Sequence, residues 1–318
     1  MELKARCKER FEPVVQAIRQ LQKEKEGLDE PLIVAIDGRC GSGKTTFGKL
    51  IAGLEKSTNG KFWFQGQEMQ NFSEKQFRPY RRNLQMIFQS SSGVFDPGYT
   101  IGENILEILK LHEKLQEGEY EERVKEALIQ TGLDPDIRNR YVGQISGGQC
   151  QRANIARALV LRPELVICDE PVSALDVSIQ AQVLNLMKEI QKELNLTYLF
   201  IAHDLSVVQY MSDRIMVMYL GKIVEVADSK ALYDEPLHPY TKALLSAIPV
   251  ADIHHKKKRQ VLEGEVPSPI HKPSGCAFHN RCPYCMDICK KEDPVLRYHG
   301  ADGHMTACHL YDGSEVKA

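Results

Sequence analysis

Apolar residues recur at helical spacing at the start of the chain and form short unbroken runs further along. Between residues 11 and 21 they alternate with Lys, Arg and Glu, which predicts an amphipathic helix within residues 1–30. The run Leu32–Ile36 is typical of a strand buried on both faces of a sheet. Leu165–Cys168 and Thr197–Ala202 have the same character, so three buried strands are predicted far apart in the chain.

Helical patterns lie between and around these runs. The further elements predicted are helices at Tyr120–Thr131 and Ile179–Leu194 and strands at Lys61–Phe64 and Leu84–Phe88. Strands that alternate with helices indicate an α/β fold with a mostly parallel sheet covered by helices. From about Pro249 the prolines and clustered cysteines indicate an irregular module. The predicted division is an N-terminal helix at 1–30, a core domain at 31–248 and a C-terminal module at 249–318.

The composition is that of a folded globular protein, with 318 residues, 42% of them apolar and 26% charged. No apolar stretch approaches the roughly 18 residues that suggest a membrane-spanning helix. Met1–Arg10 lacks the apolar region of a secretory signal, which predicts a cytosolic location. The net charge of −2 gives no electrostatic reason to expect nucleic acid as a ligand, and we interpret the basic run His254–Arg259 as a solvated linker.

A glycine-rich segment directly after the first buried strand matches the phosphate-binding pattern G-x-x-x-x-G-K-[ST]. Its glycines allow backbone N–H groups and a helix N-terminus to point at a phosphate. Lys44 would supply positive charge, and Thr45 would bind Mg²⁺. The residues predicted to hold the phosphates are Gly38, Gly41, Ser42, Gly43, Lys44, Thr45 and Thr46.

Two carboxylates follow the buried strand Leu165–Cys168. Because the carboxyl ends of parallel strands share one edge of a sheet, Asp169 and Glu170 are expected beside the phosphate loop. Asp169 would support Mg²⁺, and Glu170 would act as the general base that polarises an attacking water. The alternative, a helix-capping pair, does not explain the loop upstream.

A third motif, Ser146–Gln149, is followed by Gln151 and Arg152 and by an Ala- and Leu-rich helix predicted at Ala153–Leu161. With these residues the chain resembles the ATPase subunits of ABC transporters. The resemblance extends, motif by motif, to Gln89 as the Q-loop glutamine, Ser173–Asp176 as the D-loop and His203 as the switch histidine.

The resemblance implies an ATPase with a helical subdomain at about 90–160 and with ATP and Mg²⁺ as cofactors. It implies Glu170, His203 and Gln89 as catalytic residues and Thr45, Gln89 and Asp169 as the Mg²⁺ site. Two such domains would pair head to tail, and the turn of one would close the phosphate loop of the other. The residues implied for that closure are Ser146, Gly147, Gly148 and Gln149.

The tail of the core narrows the resemblance to oligopeptide and dipeptide importers. It is carried by Tyr219–Glu225, Pro236–Thr241, Ala243–Leu245, Pro267–Pro269 and Gly275–Cys276. The partners it implies are membrane-spanning permease subunits, a second ABC ATPase subunit, identical or different, and indirectly an extracytoplasmic peptide-binding protein. The chain would then lie peripherally on the cytoplasmic face of the membrane.

The same subfamily associates four cysteines of its C-terminal module with a [4Fe–4S] cluster in some members. The residues that match here are Cys276, Cys282, Cys289 and Cys308. Their spacing fits neither a ferredoxin nor a paired zinc pattern, so iron–sulfur, zinc and free thiols all remain open. Cys285 completes a C-x-x-C pair, but no βαβ pattern surrounds it.

The beginning of the chain departs from the importer pattern. Residues 1–50 resemble the P-loop region of uridine-kinase-like enzymes, with Asp37 directly before Gly38. One hypothesis is a fusion at the shared P-loop that lacks the usual adenine-stacking aromatic residue and has impaired ATPase activity. The alternative function is a nucleoside kinase, for which the other ABC motifs have no task.

Overall fold

The structure, a computed structural model, describes residues 33–37, 43–58, 60–248 and, in the C-terminal part, 262, 264–265, 267–268, 271–299 and 303–312. The predicted N-terminal helix therefore lies outside the described residues. The strands are β1 Ile33–Asp37, β2 Trp63–Phe64, β3 Gln67–Glu68, β4 Leu84–Ile87, β5 Leu165–Asp169, β6 Thr197–Ile201, β7 Arg214–Tyr219, β8 Lys222–Asp228, β9 Arg297–Tyr298 and β10 Met305–Thr306. The helices are α1 Lys44–Ile51, α2 Glu74–Phe77, α3 Ile101–His112, α4 Glu119–Gln130, α5 Gly147–Leu159, α6 Val177–Leu194, α7 Leu205–Met211, α8 Ser229–Asp234, α9 Pro239–Ser246 and α10 Asp287–Lys291.

Within the described residues, eight strands form one sheet in the order β4-β5-β6-β1-β7-β8-β10-β9. The pairs from β4 to β7 are parallel, and β8, β10 and β9 add antiparallel strands. Alternate residues of β1 pack on opposite faces, Ala35 in one apolar cluster and Val34 and Ile36 in another. The prediction of an α/β fold with a mostly parallel sheet is thus confirmed.

Local sequence explains where several of these elements begin and end. The strand predicted at Lys61–Phe64 begins only at Trp63, and it ends at Phe64 because Gln65 and Gly66 turn the chain with φ of 50° and 74°. Helix α5 begins at Gly147, ahead of the Ala- and Leu-rich stretch, since the Ser146 side chain accepts a hydrogen bond from the Gln149 N–H and caps the helix. Helix α6 ends where Asn195 adopts a left-handed conformation with φ 52°.

A third apolar cluster lies away from the sheet and is built from α3, α4 and α5. It buries Ile101, Leu109, Leu128 and Ala153, among others. None of the helices in the described part of the chain is both long and apolar enough to cross a membrane.

Candidate functional site

The carboxyl ends of β1, β5 and β6 meet at one edge of the sheet, and helix α1 begins there. Gly43 precedes α1 with φ 91°, a left-handed conformation that favours glycine. Lys44 is buried, and its ammonium group donates a hydrogen bond to the Ala202 carbonyl over 2.5 Å. Thr46 is exposed on the first turn of α1. The other predicted phosphate ligands, at 38–42, lie outside the described residues.

Thr45 and Asp169 bring two oxygen atoms together at this edge. The Thr45 hydroxyl donates to Asp169 Oδ1 over 3.0 Å, although the two residues are 124 positions apart. Burial raises the pKa of Asp169, and the Thr45 hydrogen bond opposes that rise. Hydroxyl and carboxylate oxygens are ligands that Mg²⁺ prefers, so these two residues suit the ion that the phosphate-loop motif implies.

Glu170 is held by side chains from two other loops. Gln89 Nε2 donates to Glu170 Oε2 over 2.8 Å, and His203 Nδ1 lies 3.1 Å from Glu170 Oε1. Glu170 itself has a left-handed φ of 47°, a strained conformation for a residue other than glycine, and its N–H donates to the Ile201 carbonyl over 2.9 Å. Both carboxylate oxygens therefore have partners, and the carboxylate points along one defined direction.

The Ser146–Gln149 turn opens α5 at a distance in the chain from these groups. Ser146 and Gln149 form a capping box, in which the Ser146 N–H also donates to Gln149 Oε1 over 3.0 Å. A Cβ on Gly148 would lie 2.9 Å from the Ile179 side chain, which would have to shift to accept a larger residue there. Within the described residues, no hydrogen bond links this turn to the Lys44–Glu170 group. Ser146, Gly147 and Gln149 are exposed, and Gly148 is half-buried.

Two contacts of the site were not predicted from the sequence. One is the Ala202 carbonyl that accepts from Lys44, and the other is the Ser173 hydroxyl, which donates to the Glu170 carbonyl over 3.1 Å. A backbone carbonyl carries no side-chain signal. Ser173 lies in the predicted D-loop, but the motif does not reveal that it supports the strained Glu170 backbone.

The cysteines of the C-terminal part lie near one another. Burial, together with neighbouring thiols, raises the pKa of Cys276 to about 11 and that of Cys308 to about 12. Among the residues that the structure describes, no three His, Cys, Asp or Glu side chains are arranged to hold a metal ion. Within the described residues, Cys276, Cys282, Cys289 and Cys308 are therefore not arranged as a metal site.

Comparisons with known proteins agree with this geometry. The family profile described as ABC transporter matches residues 25–173, and that described as oligopeptide/dipeptide transporter, C-terminal region, matches residues 224–289. The oligopeptide transport ATP-binding protein AppF of Bacillus subtilis is 50% identical over 87% of this chain and 85% of its own length. OppF of Salmonella typhimurium is 49% identical over 90% of this chain and 86% of its own.

Solved structures of ABC cassettes are also similar to this chain. A dimer of the ATP-binding cassette MJ0796 with bound ADP and Pi shares 28% identity and a TM-score of 0.57, covering 62% of this chain and 85% of that one. The CbiO1 protein of Clostridium perfringens, part of an ABC transporter complex, shares 28% identity and a TM-score of 0.59, covering 64% and 80%. The chain is an ATPase subunit and belongs to the ABC transporter family, in the group that carries the oligopeptide/dipeptide transporter C-terminal region.

Proposed function

We propose that this chain hydrolyses ATP to drive the import of oligopeptides or dipeptides through membrane-spanning permease subunits. The observation that carries the proposal is Glu170, fixed by Gln89 and His203 next to the Thr45–Asp169 pair. The C-terminal region and the names of the relatives support peptides as the cargo. The chain would act at the cytoplasmic face of the membrane, and a separate peptide-binding protein would select the cargo.

Each side chain of the site has a proposed task. Lys44 and the loop N–H groups bind the phosphates, while Thr45, Asp169 and the amide oxygen of Gln89 hold Mg²⁺, which neutralises phosphate charge when it is bound. Glu170 accepts a proton from the attacking water. Its neighbour His203 keeps the carboxylate oriented and contacts the γ-phosphate.

The turn at Ser146–Gln149 would act on a second ATPase subunit. The N-terminus of α5 begins in this turn and is exposed, so it offers N–H donors and the positive end of a helix dipole to a phosphate. The dimeric cassette among the similar structures supports head-to-tail pairing. The core at 31–248 with its helical subdomain at about 90–160 would then carry the pairing surface, and the module at 249–318 would be an addition to it.

Reconstitution tests the transport proposal. The chain is co-expressed with its permease subunits and a peptide-binding protein, and uptake of a labelled peptide into vesicles loaded with ATP is measured. Uptake that stops in Glu170→Gln and persists in the exposed control Glu189→Gln supports the proposal. ATP hydrolysis without peptide uptake in the wild-type complex would assign another cargo, and phosphate transfer to a nucleoside would support the kinase alternative.

A [4Fe–4S] cluster on Cys276, Cys282, Cys289 and Cys308 stays a prediction from the resemblance. Iron and sulfide analysis of the chain purified without oxygen tests it, with Cys285→Ser as the matched control. Stoichiometric iron that is lost in Cys289→Ser and kept in the control would support the cluster, whereas zinc or no metal would exclude it.

A further inference from the structure

The C-terminal segments 271–299 and 303–312, here called the appendage, extend the central sheet. Strand β10 pairs antiparallel with β8, with Met305 opposite Val226 and Thr306 opposite Glu225. The Thr306 hydroxyl donates to the Val224 carbonyl over 3.0 Å. The appendage is therefore joined to β8 by backbone and side-chain hydrogen bonds.

A buried carboxylate strengthens this junction. The Glu225 side chain is fully buried and accepts hydrogen bonds from the N–H groups of Leu237, over 2.6 Å, and His238, over 3.0 Å. His304 of the appendage places Nε2 2.7 Å from Glu225 Oε1. A buried carboxylate is costly without such partners, so His304 couples the appendage firmly to β8.

A second contact lies at the start of β8. Lys222, its first residue, forms an ion pair with Asp293 of the appendage. The two side chains are 35% and 44% exposed, so this pair holds the strand less strongly than the buried one does. Both contacts act on strand β8.

The turn that leads into β8 is strained. Leu220 and Gly221 join β7 to β8 with φ of 45° and 77°, the two-residue hairpin turn in which both central residues are left-handed. Leu220 is buried, and a bulky side chain rarely adopts this conformation. Such a turn persists only where the surrounding structure holds it in place.

This turn lies beside Gly43, the residue before α1. A Cβ built on Gly43 would lie 3.8 Å from the Gly221 Cα, so the two glycines approach each other closely. Gly43 directly precedes Lys44. The appendage, β8, the Leu220–Gly221 turn and Gly43 are therefore successive neighbours, and the last of them lies directly before Lys44.

We propose that the appendage positions Gly43, the residue before Lys44, through β8 and the Leu220–Gly221 turn, with His304, Lys222 and Asp293 as positioning residues. When these contacts loosen, the turn and Gly43 lose their fixed relation. Nucleotide binding then weakens, while the chemistry at Glu170 is unaffected. The proposal rests on nucleotide binding by the phosphate loop and is independent of peptide import.

The affinity of the full chain for MgADP, measured by titration calorimetry, tests the proposal. His304→Gln and Asp293→Asn are each expected to weaken binding about two- to tenfold. The charge exchange Lys222→Asp with Asp293→Lys is expected to restore the affinity that Lys222→Asp alone loses. The matched control is Arg297→Gln, which breaks a partly exposed ion pair to Asp312 within the appendage but has no contact to β8 in the described structure.

A double-mutant cycle separates positioning from general damage. Gly221→Ala strains the turn directly, since its φ of 77° disfavours alanine. If the appendage acts through this turn, Gly221→Ala and Asp293→Asn together weaken MgADP binding less than the product of their separate effects. Three results would each overturn the proposal: wild-type MgADP affinity in a folded Asp293→Asn protein, an equal loss of affinity in Arg297→Gln, or effects of the two substitutions on affinity that multiply fully. If His304→Gln does not fold, Asp293→Asn alone decides.

Discussion

The same chemical pair, a histidine beside a glutamate, occurs at two places on the sheet in opposite environments. At the nucleotide edge, His203 lies 3.1 Å from Glu170, and their side chains are 51% and 16% exposed. At the appendage, His304 lies 2.7 Å from Glu225, and the exposed fractions are 10% and 0%. Exposed pairs contribute little to folding, whereas removal of one partner from a buried pair is costly. We therefore expect the first pair to serve the reaction and the second to stabilise the fold.

The largest effect expected from this comparison is on catalysis. His203→Ala should lower the rate of phosphate release at saturating ATP about 100-fold or more, because Glu170 loses one of its two orienting partners. The free energy of unfolding should change by less than about 1 kcal/mol. Steady-state kinetics and urea unfolding on one preparation check both values. A large loss of stability with normal turnover would reverse the roles of the two pairs.

The matching change in the buried pair should act on stability. His304→Ala leaves Glu225 without its side-chain partner, and the free energy of unfolding should fall by about 3 kcal/mol. Turnover at saturating ATP should stay within about threefold of wild type, since an affinity defect appears in KM. Urea denaturation measures the first quantity. An unchanged unfolding midpoint would show that the appendage is not coupled to the core.

Acidic pH gives a further test of the comparison, because the buried junction around Glu225 contains a second histidine. Burial lowers the pKa of His238 from 6.5 to about 4. The unfolded chain therefore binds a proton between these values that the folded chain does not, and stability falls as the pH drops through this window. From pH 7 to pH 5 the loss should be about 2 kcal/mol. In His238→Asn, which can still cap α9 through the Tyr240 N–H, this loss should disappear; its persistence would assign the acid sensitivity to other groups.

A substitution far from both pairs should have a smaller effect on stability and serves as a reference for the others. Asn195 ends α6 with φ 52°, so Asn195→Ala should cost about 1 kcal/mol of unfolding free energy. Asn195→Gly should be close to neutral, because glycine adopts this conformation freely. Neither variant should alter turnover. A drop in turnover for Asn195→Ala would mean that catalysis follows stability in general.

The two regions also differ in what the sequence predicts. Thr45, Asp169 and Glu170 belong to short motifs, and the rule that parallel strands end at one edge predicts that these motifs meet. Glu225 and His304 are 79 positions apart and belong to no motif. Their pairing depends on how the appendage docks on β8, which hydrophobic periodicity does not encode.

The sequence also did not predict two unusual backbone conformations. The left-handed φ of Glu170 and of Leu220 is set by tertiary contacts, because neither residue type favours it. The bounds of β2 and α5 depended on a turn and a cap that the apolar pattern does not contain. The fold class followed from the long buried runs, since these are decided by burial on both faces of the sheet.

The most direct test of the central claim is Glu170→Gln in the full chain, measured for MgATP affinity, dimer formation and phosphate release. The variant is expected to bind MgATP as tightly as wild type and to accumulate as a dimer. Phosphate release should be slower by about 100-fold or more. Phosphate release at the wild-type rate would contradict the assignment of Glu170 as the base.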